Sequence, residues 1–417
     1  MQNSQNNSSK KILWIVFFTI FLDLFGVGIL IPVFPMLILP GSIFKITPDT
    51  WTVGQGFIMS GWLMAMYPLA QFFTSPMLGA LSDKYGRKRI LCISLLGTIF
   101  SYLLFAYAIS IKNIPLLFIA RIFDGISGAN ISAAQAIIGD VSNDKNRARN
   151  FGMVGVSIGV GFVLGPFFGG RLSDATFVSW FGATTPFYFC ALLSILNLWF
   201  VVRFLPETLQ NKVTHKIKLL SSLNNVFKIF KLSDLTVPIL SNFLFNAGFA
   251  LFSTFFGLIL AYHYGYTQAK IGDFFAYLGV TIILAQGLVV GRLSGRVADH
   301  QVLKISFFLV GLSIFAYYLV PQDKSYLIYY ITPFLSVFVA LTRSFNMSLL
   351  SKIANSNTRG EIMGINFSFT ALAQSIPAIM SGYIANIHIM AIIIFGAVLV
   401  VLGGIYFNTN ILRTIRL

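Results

Sequence analysis

Charge is scarce in this chain, and negative charge scarcest: 13 Asp and Glu stand against 29 Lys and Arg in 417 residues, 10% charged in all. Soluble domains carry about a quarter charged residues, so a soluble fold is excluded. Cysteine is nearly absent. Cys92 and Cys190 both fall in apolar runs, as small buried hydrophobes, so neither a disulfide framework nor a metal site is expected. No GxxxxGK[ST] segment occurs, which removes the P-loop route to ATP hydrolysis. No cofactor and no enzymatic activity are expected.

What the chain has is apolar length: 56% hydrophobic residues, 15% aromatic, and a mean hydropathy of +0.81. Apolar segments of ~20 residues or more suit a bilayer core of about 30 Å at 1.5 Å per residue. The pattern predicts spans near 11–39, 51–80, 89–110, 114–140, 147–172 and 183–205, then 234–263, 268–297, 301–320, 325–353, 358–386 and 388–409. The expectation is an all-α membrane protein of twelve transmembrane helices. The polar start, MQNSQNNSSKK, is followed by no small-residue cleavage site, so span 1 is expected to be retained.

A net charge of +16 invites a nucleic-acid reading, but its distribution answers otherwise. Lys10, Lys11, Lys84, Arg87, Lys88, Arg89, Arg203, Arg292, Arg296, Lys352 and Arg413 are typical of one side of the membrane. The other side receives Lys45, Lys112, Arg171, Lys270 and Lys324. The positive-inside rule places both termini in the cytoplasm, which needs an even number of spans. No nucleic-acid partner is expected.

Residues 206–233 form the longest polar, basic interruption and divide the chain into bundles 1–205 and 234–417. Their second part, LLSSLNNVFKIFK, reads either as an amphipathic helix on the cytoplasmic leaflet or as a solvated linker. The two halves also repeat. At an offset of 212, GALS (79–82) lies on GRLS (291–294), Arg147 on Arg359, Gly152 on Gly364 and Gly170 on Gly382.

Four charges fall deep inside spans, where each costs at least ~2.5–3.5 kcal/mol at mid-bilayer. They are Asp23 in LDLFGVGILIPVFPML, Arg121 and Asp124 in LLFIARIFDGISGAN, and Arg343. Asp23 lies ~18 Å along its span, and Arg121 and Asp124 share a helix face. Three roles stand for this set: a structural ion pair, a proton carrier, or a contact for a cationic substrate. Arg343 is either a cavity-facing anion contact or a structural residue with a snorkelling head group. Tyr67, Gln71, Asn242, Asn246, Asn346, Asn366 and Gln374 are pocket candidates, each with a helix–helix hydrogen bond as the alternative. His263 and His388 fall at outer span ends, where interfacial histidines are ordinary.

Two motifs then become specific. The loop GALSDKYGRKR carries Gly79, Asp83, Gly86, Arg87, Lys88 and Arg89, with Gly86 suited to a tight turn and Asp83 in need of a partner. Span 5 reads GVSIGVGFVLGPFFGG, with Gly155 and Gly159, then Gly161, Gly165 and Gly169, each four apart. Such spacing leaves flat faces for close helix packing, and Pro166 favours a kink. Gly170 closes the run.

The loop resembles the signature loop of the major facilitator superfamily, and GPxxGG resembles the span-5 signature of its proton-coupled antiporters. Spans 1, 2 and 6 are similar to twelve-helix drug/proton antiporters, most of all the bacterial tetracycline-efflux group. The resemblance implies two six-helix pseudo-repeats and proton-driven export of an amphipathic organic compound or drug by a monomer in a bacterial inner membrane. It also implies that Asp83 docks at the start of span 11, RGEIMG, and that Arg121 takes part in proton coupling; that Asp23 and Asp124 share it as a coupled acid pair follows from their charges alone. The chain departs from the tetracycline group where its acid in span 3 aligns with Ser101. Ile282 aligns with the group's His in span 8, and Gly311 with its Asp in span 9. Asp124 stands where the span-4 motif has an uncharged residue. Proton-coupled import of a metabolite or siderophore, and a non-transporting receptor, are the rival readings.

Overall fold

The computed structural model describes residues 2–142, 146–209, 223, 233–353 and 359–415. All its regular elements are helical, as lipid demands of a backbone with no water to bond. In chain order they are α1 (Gln2–Ile38), α2 (Val53–Tyr85), α3 (Arg87–Ser110), α4 (Ile114–Gly128), α5 (Ile131–Asp140), α6 (Arg147–Leu172) and α7 (Thr185–Phe204). There follow α8 (Ser233–Tyr262), α9 (Gln268–Ala285), α10 (Asp299–Tyr318), α11 (Leu327–Ile353), α12 (Arg359–Ile387) and α13 (Ala391–Ile415). Ten spans among the described residues are long and apolar enough to cross a membrane, with α4 and α5 together forming one of them. α2 and α12 are as long, at 33 and 29 residues, and richer in polar and small residues. The twelve-helix expectation stands, and α3 shows its chemistry. Its exposed stripe is Ile93, Leu96, Phe100, Leu103 and Tyr107, while Ser94, Thr98 and Ser101 face inward.

Two spans differ from the pattern. The fourth breaks after Gly128, and the eighth ends in a π turn, Gln286–Val290, followed by a short helical turn, Gly291–Leu293. The proposed amphipathic segment 219–231 lies outside the described residues apart from Leu223.

The chain forms two compact units that do not follow its order. The first comprises Met1–Thr47, Leu69–Ser221 and Gln268–Ala276; the second comprises Pro48–Pro68, Ser222–Thr267 and Tyr277–Leu417. In the first, α1 packs along α6 and α7, and α3 packs on α4, α5 and α7. Val16, Ile20, Leu91, Leu95, Ile137, Ile138 and Val201 form its core toward the start of α1. In the second, α8 packs on α12 and α13, and α10 on α11 and α13.

The glycines of α6 let α1 pack closely along it. A Cβ on Gly161 would meet Leu24 and the Phe21 carbonyl; one on Gly165 would meet the Phe25 carbonyl and Gly28; one on Gly169 would meet Ile29. Gly170 meets the Gln268 carbonyl, and Gly272 of α9 meets the Pro166 carbonyl. Gly155 has open space beside it, so the close-packed face begins further along the helix than the sequence pattern suggests.

Candidate functional site

The break in span 4 has a local cause and a polar lining. Asn113 caps α4 by accepting from the Leu116 amide at 2.9 Å, and the helix then runs into the small residues of GISGAN. At the break the Gly128 carbonyl accepts from Gln71 Nε2 at 3.0 Å, and the Ala129 carbonyl accepts from Ser132 Oγ at 2.9 Å. The carbonyls freed by the interruption therefore have side-chain donors. The Gln71 bond joins α2 to α4.

Around this break the first unit collects its buried charges. Arg121 donates from Nη1 to Asp124 Oδ2 at 2.6 Å, an i,i+3 pair within α4, and both side chains are buried. Ser101 Oγ stands 3.5 Å from the other oxygen, Asp124 Oδ1. Asp23, from α1, takes its hydrogen bond from Asn130 rather than from Arg121: Asn130 Nδ2 donates to Asp23 Oδ1 at 3.5 Å. Asp23 Oδ2 is buried with no hydrogen-bond partner among the described residues. Asn130 was not singled out by the sequence, because its role follows from sitting at the helix break. The Tyr102 side chain of α3 reaches across to Gly26, one turn from Asp23, where a Cβ would collide with its hydroxyl.

At the end of α2, Arg87 is a hub. Gly86 turns the chain at φ +109°, a conformation that favours glycine. Arg87 pairs with Asp83, donates to Ser82 Oγ at 2.8 Å, and reaches Asp140 Oδ2 at the end of α5 at 3.2 Å. At the N-terminus of α3 the carboxylate is Glu207. It accepts from the Arg87 and Lys88 amides of α3 at 2.9 and 3.3 Å. Lys88 Nζ donates to the Val202 carbonyl, and Thr208 Oγ1 donates to Asp140 Oδ2 at 3.0 Å. The LPET segment thus fastens the motif loop.

The second unit carries the remaining candidates. Asn242 donates to Asn366 Oδ1 at 2.9 Å, and Asn246 donates back to the Asn242 carbonyl at 2.8 Å, linking α8 to α12. Asn346 donates to the Pro238 carbonyl at 3.3 Å, bridging α11 to α8. Tyr67 is buried, and Gln374 is exposed. Arg343 is exposed, with its guanidinium 5.0 Å from the centre of the Phe249 ring. At the π turn, Gln286 Nε2 donates to Ser344 Oγ at 2.8 Å. Outside the spans, burial and then the nearby His388 push His263 below its ordinary value. Among the described residues no cluster of His, Cys, Asp and Glu could hold a metal ion.

Further ion pairs join the described helices. Asp299, at the start of α10, meets Lys352 Nζ at 2.8 Å and accepts from Ser348 Oγ at 2.8 Å. Arg171 and Asp273 meet at 2.6 Å across α6 and α9 of the first unit.

Comparison with known proteins adds the following. The sequence profile described as Major Facilitator Superfamily matches residues 16–378. The chain is 28% identical to tetracycline resistance protein, class H, of Pasteurella multocida, over 90% of this chain and 89% of that one. It is 25% identical to multidrug resistance protein 2 of Bacillus subtilis, over 95% of this chain and 94% of that one. Its fold is similar to the crystal structure of a D-xylose–proton symporter, with a TM-score of 0.79 at 14% identity, over 95% of this chain and 96% of that one.

Proposed function

The chain belongs to the Major Facilitator Superfamily, and from that premise we propose that it exports an amphipathic organic compound, such as a drug, in exchange for protons. It is a multi-pass membrane protein and a secondary-active small-molecule transporter of the alternating-access type. The proposal concerns direction and coupling. It places the protein in a bacterial inner membrane as a monomer, with both termini cytoplasmic.

The observation that carries the proton coupling is the contrast between the two buried acids. Asp124 is neutralised by Arg121, whereas Asp23 has an amide for one oxygen and no described partner for the other. Asp23 is therefore the candidate proton carrier, and Asn130 its sensor at the break in span 4. Protonation removes the charge that the Asn130 amide serves and loosens the tie between α1 and the α4–α5 junction. A proton and a substrate that favour different states of that junction bias the same equilibrium, which is what exchange requires.

Export is favoured by the close-packed glycine face of α6 and by relatives that are resistance proteins. A tetracycline substrate is not favoured, since Ser101, Ile282 and Gly311 replace the polar set of that group. Deletion of the gene should sensitise cells to the exported compound. In proteoliposomes that compound should drive protons the opposite way, and Asp23→Asn should end the proton flux while substrate exchange continues. Protons moving with the compound would make the protein an importer, and an unaltered flux in Asp23→Asn would reduce Asp23 to scaffolding.

A further inference from the structure

Arg343 is an arginine within a span whose described partner is an aromatic ring. It makes no ion pair among the described residues. The three other charges deep inside spans are treated differently: Arg121 and Asp124 neutralise each other, and Asp23 has Asn130. Snorkelling does not explain Arg343. Phe249, against which its guanidinium lies, stands near the middle of α8, so the charge is held toward mid-membrane and not at the cytoplasmic end. An arginine so placed and open on one side is available to an anion from outside the protein.

The neighbouring groups extend the site. Ser344 follows Arg343 on α11 and is held by Gln286, the first residue of the π turn. Such turns inside α-helices are frequent at functional sites. Beside it, Gly287 has open space around its Cα. On α8, Asn246 lies three residues before Phe249 and hence on the same face, and Phe245 stacks on Phe249 with ring centres 6.2 Å apart. Within one unit the structure thus gathers a fixed cation, amide and hydroxyl groups, and an aromatic surface.

We infer that Arg343, Phe249 and the Gln286–Ser344 pair form an anion subsite, and that the compound carried is an amphipathic aromatic anion such as a carboxylate. The inference rests on the transporter reading above and names its substrate class. The guanidinium fork receives the carboxylate bidentately, and the flat ring behind it fixes the fork's plane. The Gln286 amide and Ser344 hydroxyl serve a second polar group of the compound.

The test uses two fluorescent probes of like size and opposite charge, 1-pyrenebutyrate and 1-pyrenebutyltrimethylammonium, in proteoliposomes under a proton gradient. The intact protein should carry the carboxylate and not the cation. Arg343→Gln should lower carboxylate transport at least tenfold. Arg343→Lys, which keeps the charge but not the fork, should retain a measurable part of it, and Gln286→Leu should raise KM severalfold with little change in kcat. Gel filtration and melting of each variant separate misfolding from lost recognition. Carriage of the cation alone, or carboxylate transport unchanged in Arg343→Gln, overturns the anion subsite while leaving proton-coupled export standing. Carriage of neither probe also overturns it, and the deletion-strain screen then judges the exporter reading independently.

Discussion

Asp299 and Lys352 meet at 2.8 Å at the positions where, 212 residues earlier, Arg87 meets Asp140 at 3.2 Å. Both pairs tie the first residue of one helix to the end of a neighbouring element in the same unit: α3 to α5, and α10 to α11. The charges are reversed between the repeats. In the second unit the acid sits at a helix N-terminus and the base in a last turn, as the helix dipoles favour. In the first unit both charges oppose the dipoles, and Glu207, laid across the start of α3, supplies the missing negative charge.

This reversal predicts an asymmetric charge swap. Asp299→Lys alone should lower the melting temperature of the detergent-solubilised protein. The double variant Asp299→Lys, Lys352→Asp should recover part of the loss and not all. The pair returns, but both charges then face the wrong dipole ends, a penalty of about 0.3–1 kcal/mol each. Full recovery would mean that the dipoles contribute nothing here.

Glu207 is predicted to stabilise the motif loop as a helix cap. Glu207→Ala should cost about 1 kcal/mol, in the usual range for a lost N-cap. Amide exchange at Arg87 and Lys88 should quicken most. If exchange there is unchanged, other groups hold the start of α3.

Asp83 shares Arg87 with Asp140 and Ser82, so two roles can be told apart by measurement. Asp83→Asn should slow transport at near-normal expression, with a melting temperature close to that of the parent because Asp140 keeps Arg87 paired. A variant that melts earlier yet transports at full rate would make Asp83 structural, and the docking role implied by the resemblance would fall.

Ser101 and Asp124 predict a relocation. The resemblance aligns an acid of the tetracycline-efflux group with Ser101 and an uncharged residue of the span-4 motif with Asp124, and here Ser101 Oγ stands 3.5 Å from Asp124 Oδ1. The exchange Ser101→Asp, Asp124→Ser should therefore retain most of the transport that Asp124→Ser alone loses. An exchange variant as inactive as the single one would show that the carboxylate must belong to α4.

The twelve spans, the two-part repeat and the motif loop were legible because they rest on local chemistry. Lipid enforces apolar length and internal backbone bonding, turns require glycine, and duplication leaves a constant offset. The same offset would have pointed to Asp299 and Lys352 had the charges been compared without regard to sign. Residue identity also sufficed to mark Asp23, Arg121, Asp124 and Arg343, since any charge within a span is costly wherever the helix turns. What the sequence could not assign was partnership, which depends on helix rotation and on the break after Gly128. Both are settled by packing between elements far apart in the chain. Tertiary structure gave Arg121 to Asp124, Asn130 to Asp23 and Glu207 to α3. It left Arg343 with the Phe249 ring.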